Sequence, residues 1–172
     1  MKIMITGSTG LIGTALISWL EKEGHQVSPL VRGKPLVRGK PHDGTSEIEW
    51  HPDQNSVTNK DAFEGHDAVI HLAGESVAQG RWTPEKKQRI RESRTQGTRL
   101  LAATLAQLER PPRVLASASA IGFYGDRGDE LLDETSASGT GFLADVCREW
   151  EAATALPKPQ AYASCTYVSA SC

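Results

Sequence analysis

The chain opens with a short apolar run, Lys2 to Thr6, which breaks off at Gly7-Ser8-Thr9-Gly10-Leu11-Ile12-Gly13, where glycines recur at every third position. From Leu11 the apolar spacing changes: Leu11, Ile12, Ala15, Leu16, Trp19 and Leu20 fall at helical intervals, and Gly24 supplies a C-terminal stop. This is strand, glycine turn and helix, half of a βαβ unit. Val27 to Val31 reads as a second strand, Ile48 to Trp50 as a short third one, and Val57 to Phe63 as a short helix or turn. Ala68 to Leu72, an apolar run closed by Ala73-Gly74, reads as a buried parallel strand. Pro84 to Glu109 predicts a helix with Ile90, Leu100, Leu101, Leu105 and Leu108 on its buried face. Arg113 to Ser117 predicts another buried strand, ending in Ser117-Ala118-Ser119; a loop holding Tyr124 follows, then a helix over Phe142 to Ala155. Strands alternating with helices predict an α/β fold with a doubly wound, mostly parallel sheet.

The glycine turn carries the clearest chemistry. Gly7 allows a tight turn, Gly10 lets backbone approach a diphosphate, and Gly13 lets the helix pack close to the strand. The free N–H groups and positive dipole end of the helix, at Thr9, Leu11 and Ile12, then suit phosphate oxygens. Arg32 follows the second strand, where an acid would bond the 2′-hydroxyl of NAD and an arginine suits the 2′-phosphate of NADP. The expected coenzyme is therefore NADP, with NAD as the alternative. The end of the Ala68 to Leu72 strand lies beside the glycine turn in such a sheet, so Leu72, Ala73 and Gly74 are expected to line the coenzyme.

Composition narrows the picture. A chain of 172 residues suffices for one domain with a real core, and a formal charge of −2 argues neither for nor against a polyanionic partner. The basic run Lys86, Lys87, Arg89, Arg91, Arg94 and Arg99 is interrupted by Glu85 and Glu92 and lacks interleaved aromatics, so a solvated helix face is expected rather than a nucleic-acid surface. No apolar run approaches bilayer length and the start has strand character, so no membrane segment and a cytoplasmic location are expected. Cys147, Cys165 and Cys172 have no metal-ligand spacing and read as free thiols. Leu30 to Pro35 is repeated at once as Leu36 to Pro41, a local tandem duplication that places a second arginine, Arg38, where it can take the role of Arg32.

Thr6-Gly7-x-x-Gly10-x-x-Gly13, Asp67-Ala-Val-Ile-His71-Leu-Ala-Gly74 and a Ser119 strand end before Tyr124-Gly125 resemble the extended short-chain dehydrogenase/reductase superfamily. More narrowly, HLAGE, RWTPEKKQRIRESR and SASAIGFYGDRGDE are similar to a predicted nucleotide-sugar epimerase-like subfamily of the NAD(P)-dependent epimerases and dehydratases. The resemblance runs from Met1 to about Ala155 and implies a Rossmann domain binding NAD(P), followed by a smaller substrate region. It also implies hydride exchange with a sugar-like or other small hydroxylated substrate. Ser119 is then expected to hydrogen-bond a substrate oxygen, with Ser117 near it, and Tyr124 to act as an acid. The chain departs from the superfamily twice. No tyrosine has a lysine four residues on, since Tyr124, Tyr162 and Tyr167 are followed there by Gly128, Thr166 and Ser171, and Cys147 falls near the lysine position. Arg94 stands where extended members commonly have asparagine. A nucleotide-binding module without turnover is the alternative reading.

Leu156 to Cys172 does not read like the rest. In the family a strand similar to GIRVVHLRLGIV follows this helix, and synonymous codons for Gln160 to Cys172 can be chosen that yield GIRVVHLRLGIV when read from the third base of the Gln160 codon. The expectation is a Rossmann domain over residues 1–155, a frameshifted tail over 156–172, and a sheet lacking its last strand and the substrate region.

Overall fold

The structure, a computed structural model, describes residues 1–33 and 47–155 and the backbone of 163–169. The second hexapeptide copy with Arg38, together with Tyr162 and Cys172, lies outside the described residues. Strand β1 (Lys2–Thr6) sits in the middle of the sheet, parallel to β2 (Gln26–Arg32) on one side and to β5 (Ala68–His71) on the other. Beyond β2 come β3 (Ile48–His51), parallel, and the two-residue β4 (Ser56–Val57), antiparallel. Beyond β5 come β6 (Val114–Ala120) and β7 (Ala163–Ser169), both parallel, giving the order β4-β3-β2-β1-β5-β6-β7. Strand order reverses between β1 and β5, the switch point beside which doubly wound sheets bind ligands.

Both faces of the sheet are covered, so its central strands are apolar on both sides. Ile3, Ile5 and Val27 pack with Leu20 of α1 (Leu11–Lys22) on one face. Met4, Leu30, Val69 and Leu115 pack with Leu101 and Leu105 of α2 (Pro84–Leu105) on the other. Each such fully buried side chain contributes ~2 kcal/mol over leaving it in water. Helix α1 stops where expected, with Gly24 at φ +79° just after its last turn. Helix α2 begins at Pro84, and the Thr83 side chain accepts from the Lys86 N–H at 3.2 Å. Its Gly97 lets the Trp50 ring of β3 come within 3.4 Å of where a Cβ would stand. Helix α3 (Phe142–Ala152) packs beside α2.

Two expectations change. The Arg113 to Ser117 strand runs on to Ala120, so Ser119 lies inside β6 rather than after it. The sheet does not stop there either: Ala163–Ser169 pairs with β6 from Val114↔Ala163 to Ala120↔Ser169, filling the edge expected to be bare. Ladder hydrogen bonds are made by backbone and do not read side chains, and Thr166, Tyr167 and Val168 are residue types that favour extended chain.

Candidate functional site

The turn between β1 and α1 is closed so tightly that Gly7 and Gly13 have no substitutes. A Cβ on Gly13 would stand 2.2 Å from the Gly7 carbonyl oxygen. Gly7 has φ +70°, and a Cβ there would meet the Leu72 carbonyl carbon at 2.8 Å and the Ala73 nitrogen at 3.0 Å. The Gly10 N–H donates back to the Gly7 carbonyl at 3.0 Å, and Gly10 caps α1 without a side-chain partner. The first turn of α1 carries no acidic residue. Leu11 and Ile12 are exposed, as are Thr9 and Gly10. The result is an exposed set of backbone donors at the positive end of a helix, a fit for a diphosphate.

A buried polar network ties this turn to the end of β5. Thr6 Oγ1 accepts from the Leu72 N–H at 3.0 Å and the Ala73 N–H at 3.1 Å. Its own proton is therefore donated to His71 Nδ1, 2.7 Å away. The proton of the neutral imidazole then sits on Nε2, which donates to Thr98 Oγ1 of α2 at 2.9 Å. His71 is fully buried, and desolvation pulls its pKa down to about 4, so it stays neutral. Leu72 and Ala73 thus come to rest against Gly7, held by Thr6, His71 and Thr98, to which the sequence alone assigns no role in the site. The available signal is a histidine at the C-terminal end of an apolar strand.

At the C-terminal ends of β2 and β3 lies a cavity of about 670 Å³, lined by Arg32, Gly33, Pro52, Asp53, Glu75 and Arg89 among others. Arg32 is the last residue of β2 and is exposed. Glu75 reaches the cavity from the loop after β5. Its carboxylate accepts from Lys86 Nζ at 2.7 Å, with Arg89 Nε at 3.8 Å. The Lys86 hydrogen bond holds the Glu75 pKa below the usual carboxylate value, and the charges of Arg89 and Arg32 act in the same direction. Lys86, expected on a solvated basic face, is instead buried on this carboxylate. Two guanidiniums, Arg32 and Arg89, and three carboxylates, Asp53, Glu75 and Glu92, thus share its lining.

The β6 and α3 side is built differently. Ser117 and Ser119 share the buried face of β6 with Leu115, and Ser117 pairs in register with His71. Ser119 is 2% exposed and donates to Glu151 Oε1 of α3 at 2.6 Å. Cys147, one helical turn earlier, bonds the Ala120 carbonyl at 3.7 Å, and burial raises its thiol pKa. Tyr124 ends a 3-10 turn, Ile121–Tyr124, half-buried with its ring 5.3 Å from that of Phe123. Gly139 passes so close behind it that a Cβ would stand 2.0 Å from the Tyr124 carbonyl oxygen. Gly74 is exposed, and the guanidinium of Arg94 lies against it. The site therefore brings Gly7, Gly13, Leu72 and Ala73 into contact, with Gly74 next in the chain, and it joins Ser119 to Glu151, a residue the sequence reading passed over.

Comparisons with known proteins agree with this geometry. The model of the NAD dependent epimerase/dehydratase family matches residues 3–143. An epimerase family protein of Mycobacterium leprae is 38% identical over 152 residues, covering 88% of this chain and 46% of the relative. The human epimerase family protein SDR39U1 is 31% identical over 160 residues, covering 91% and 50%. The chain thus spans about half the length of the curated relatives it matches. Among solved structures, a nucleoside-diphosphate sugar epimerase from Corynebacterium glutamicum is 42% identical with a TM-score of 0.68, covering 89% of this chain and 30% of that one. Human SDR39U1 crystallised with NADPH is 26% identical with a TM-score of 0.78, covering 96% and 52%. With its glycine turn, switch-point geometry and matched residues in agreement, the chain belongs to the NAD dependent epimerase/dehydratase family.

Proposed function

We propose that this chain binds a nicotinamide adenine dinucleotide, NADPH in preference to NADH, as the coenzyme part of an oxidoreductase or epimerase acting on a small, hydroxylated, sugar-like substrate. The observation that carries the reading is the Gly7 to Gly13 rim, whose close backbone contacts leave room only for glycine at Gly7 and Gly13 and whose helix end presents unpaired donors. Relatives support it, since human SDR39U1 was crystallised with NADPH. Gly7, Thr9, Gly10, Leu11, Ile12 and Gly13 hold the diphosphate in this reading. Leu72, Ala73, Gly74 and Ser117 line its course along the strand ends, and Arg32 takes the 2′-phosphate with Arg89 beside it. Titration of the protein with NADPH and NADH tests this: tighter binding of NADPH is expected, and Arg32→Ala removes the preference. No saturable signal with either coenzyme overturns the reading.

A second reading, coenzyme binding without turnover, is favoured by the Ser119 hydroxyl already donating to Glu151 and by a buried thiol at Cys147. Nicotinamide absorbance followed over a panel of sugars and ketones separates the two. Turnover assigns Ser119 and Tyr124 their acid and hydrogen-bonding roles; binding with no turnover leaves the module reading standing. We also propose that residues 156–172 come from a shifted reading frame, so that the backbone pairing β6 is a substitute for the family's own strand. Sequencing the gene across these codons decides it, because codons that cannot yield the strand in another frame remove the idea.

A further inference from the structure

Arg94 holds chemistry that the glycine rim and the Arg32 cavity leave unused. Its Nη1 donates to the Glu75 carbonyl at 3.0 Å and the Ile90 carbonyl at 3.1 Å. Its guanidinium carbon lies 5.1 Å from the centre of the Trp150 ring on α3, and a Cβ on Gly74 would stand 3.2 Å from it. Three elements therefore meet on one cation: α2, α3 and the loop after β5. No carboxylate comes within ion-pair reach of it among the described residues, since Lys86 and Arg89 take Glu75 and Arg91 takes Glu149. Nε and Nη2 carry no hydrogen bond to the described residues, and neither is among the fully buried unsatisfied atoms. The Trp150 ring, Glu75 and Cys147 favour the charge from a distance, and the two remaining donors stay accessible, so a ligand oxygen can take them at little cost.

Its place says which ligand oxygen. Leu72 and Ala73 touch Gly7, where the diphosphate would rest, and the adenosine cavity at Arg32 opens on the β2 side. Arg94 stands on the opposite side, against Gly74 and toward Trp150 and Cys147 of α3. A dinucleotide that crosses the switch point with its adenosine over β2 has its other half above β5 and β6. We propose that Arg94 positions the nicotinamide half of the coenzyme, clamping the Gly74–Glu75 backbone through Nη1 and offering its remaining N–H groups to the hydroxyls of the nicotinamide-side ribose. The proposal rests on the coenzyme reading above and assigns Arg94 a role in only one half of the ligand.

That asymmetry is the test. The full chain and its Arg94→Met, Arg94→Lys and Gly74→Ala variants are titrated with NADPH and with 2′,5′-ADP, which has the adenosine half alone. Arg94→Met is expected to weaken NADPH at least about tenfold, the scale of a lost charge-assisted hydrogen bond, and to leave 2′,5′-ADP within about twofold. Arg94→Lys restores part of the loss. If Arg94→Met fails to fold, the partial and NADPH-selective loss on Arg94→Lys, with 2′,5′-ADP binding kept, decides the matter, while Gly74→Ala, which pushes on the guanidinium, is expected to weaken NADPH in the same direction. Equal weakening of both ligands, or of neither, overturns the proposal while the coenzyme reading survives. A wild-type chain that binds neither ligand brings down the coenzyme reading instead.

Discussion

The two ends of the strand rim are held by different means. Between β1, α1 and β5 the contacts are backbone on backbone: Gly13 against Gly7, and Gly7 against Leu72 and Ala73. Around α3 every contact uses a side chain: Ser119 of β6 on Glu151, Arg94 of α2 on Trp150, and the Cys147 thiol on the Ala120 carbonyl. The first end is fixed by what glycine lacks and tolerates no exchange. The second is a set of polar partners, each replaceable alone at modest cost, so its chemistry is free to depart from that of relatives while the coenzyme rim is kept.

The largest effect is expected at the rim. Gly13→Val places two methyl groups and a Cβ where a carbonyl oxygen already stands at 2.2 Å from the Cβ position. Backbone cannot move aside as a flexible side chain can, so α1 must shift off β1. Overpacking of this kind costs ~1–3 kcal/mol or more of stability, and the misplaced helix end loses its donors for the diphosphate. Thermal unfolding and NADPH titration are expected to show both losses together; a variant that binds NADPH like the wild type would show that the turn does not hold the coenzyme.

Acid tests the tie between rim and β5. His71 has a folded pKa of about 4 against 6.5 unfolded, so over that interval the unfolded chain binds a proton that the folded one refuses. Stability is then fully present above pH 6.5 and falls as pH drops toward 4, by up to about 3 kcal/mol. His66, also lowered by burial, adds in the same direction. Denaturant unfolding at pH 7 and pH 4.5 is expected to show the drop, and His71→Gln to flatten it. An unchanged slope in the variant would mean that another group sets the acid limit.

How far these features were legible follows the same division. Glycine spacing between an apolar run and a helical pattern points to the rim because only that residue fits, and Arg32 at the end of β2 follows from strand length. Residues joined across the fold leave no such mark. Nothing near Ser119 in the chain announces Glu151, which meets it only because α3 folds back beside β6. Lys86 reads as one charge in a basic run, and its burial on Glu75 depends on how the loop after β5 returns to α2. The strand at Ala163–Ser169 was missed for a third reason, that an open β6 edge accepts backbone of almost any sequence.

Lys86→Met probes the border of the two regions. It strips Glu75 of its 2.7 Å partner, leaving the carboxylate to Arg89 and Arg32 on the coenzyme side of the cavity. Breaking a half-buried pair is expected to lower stability by about 1–2 kcal/mol. Glu75 then neutralises the arginine offered to the 2′-phosphate, so the preference for NADPH over NADH shrinks. An unchanged coenzyme ratio would show that Glu75 and Arg32 do not share one field.

Ser119→Ala is expected to do least to stability and coenzyme binding, and for that reason separates the ends most cleanly. One of the bonds it loses is a hydroxyl donating to Glu151, worth about 1 kcal/mol with that carboxylate partly exposed to water, and the Cys147 thiol beside it loses a hydroxyl neighbour too. No backbone contact of the rim involves Ser119, so NADPH affinity should match the wild type within about twofold. Any turnover found with a hydroxylated substrate should fall sharply, because the hydroxyl expected to bond a substrate oxygen is gone while the coenzyme stays in place. A coenzyme affinity that falls with Ser119 would show that β6 and the glycine rim act as one unit, and the division between them would have to be withdrawn.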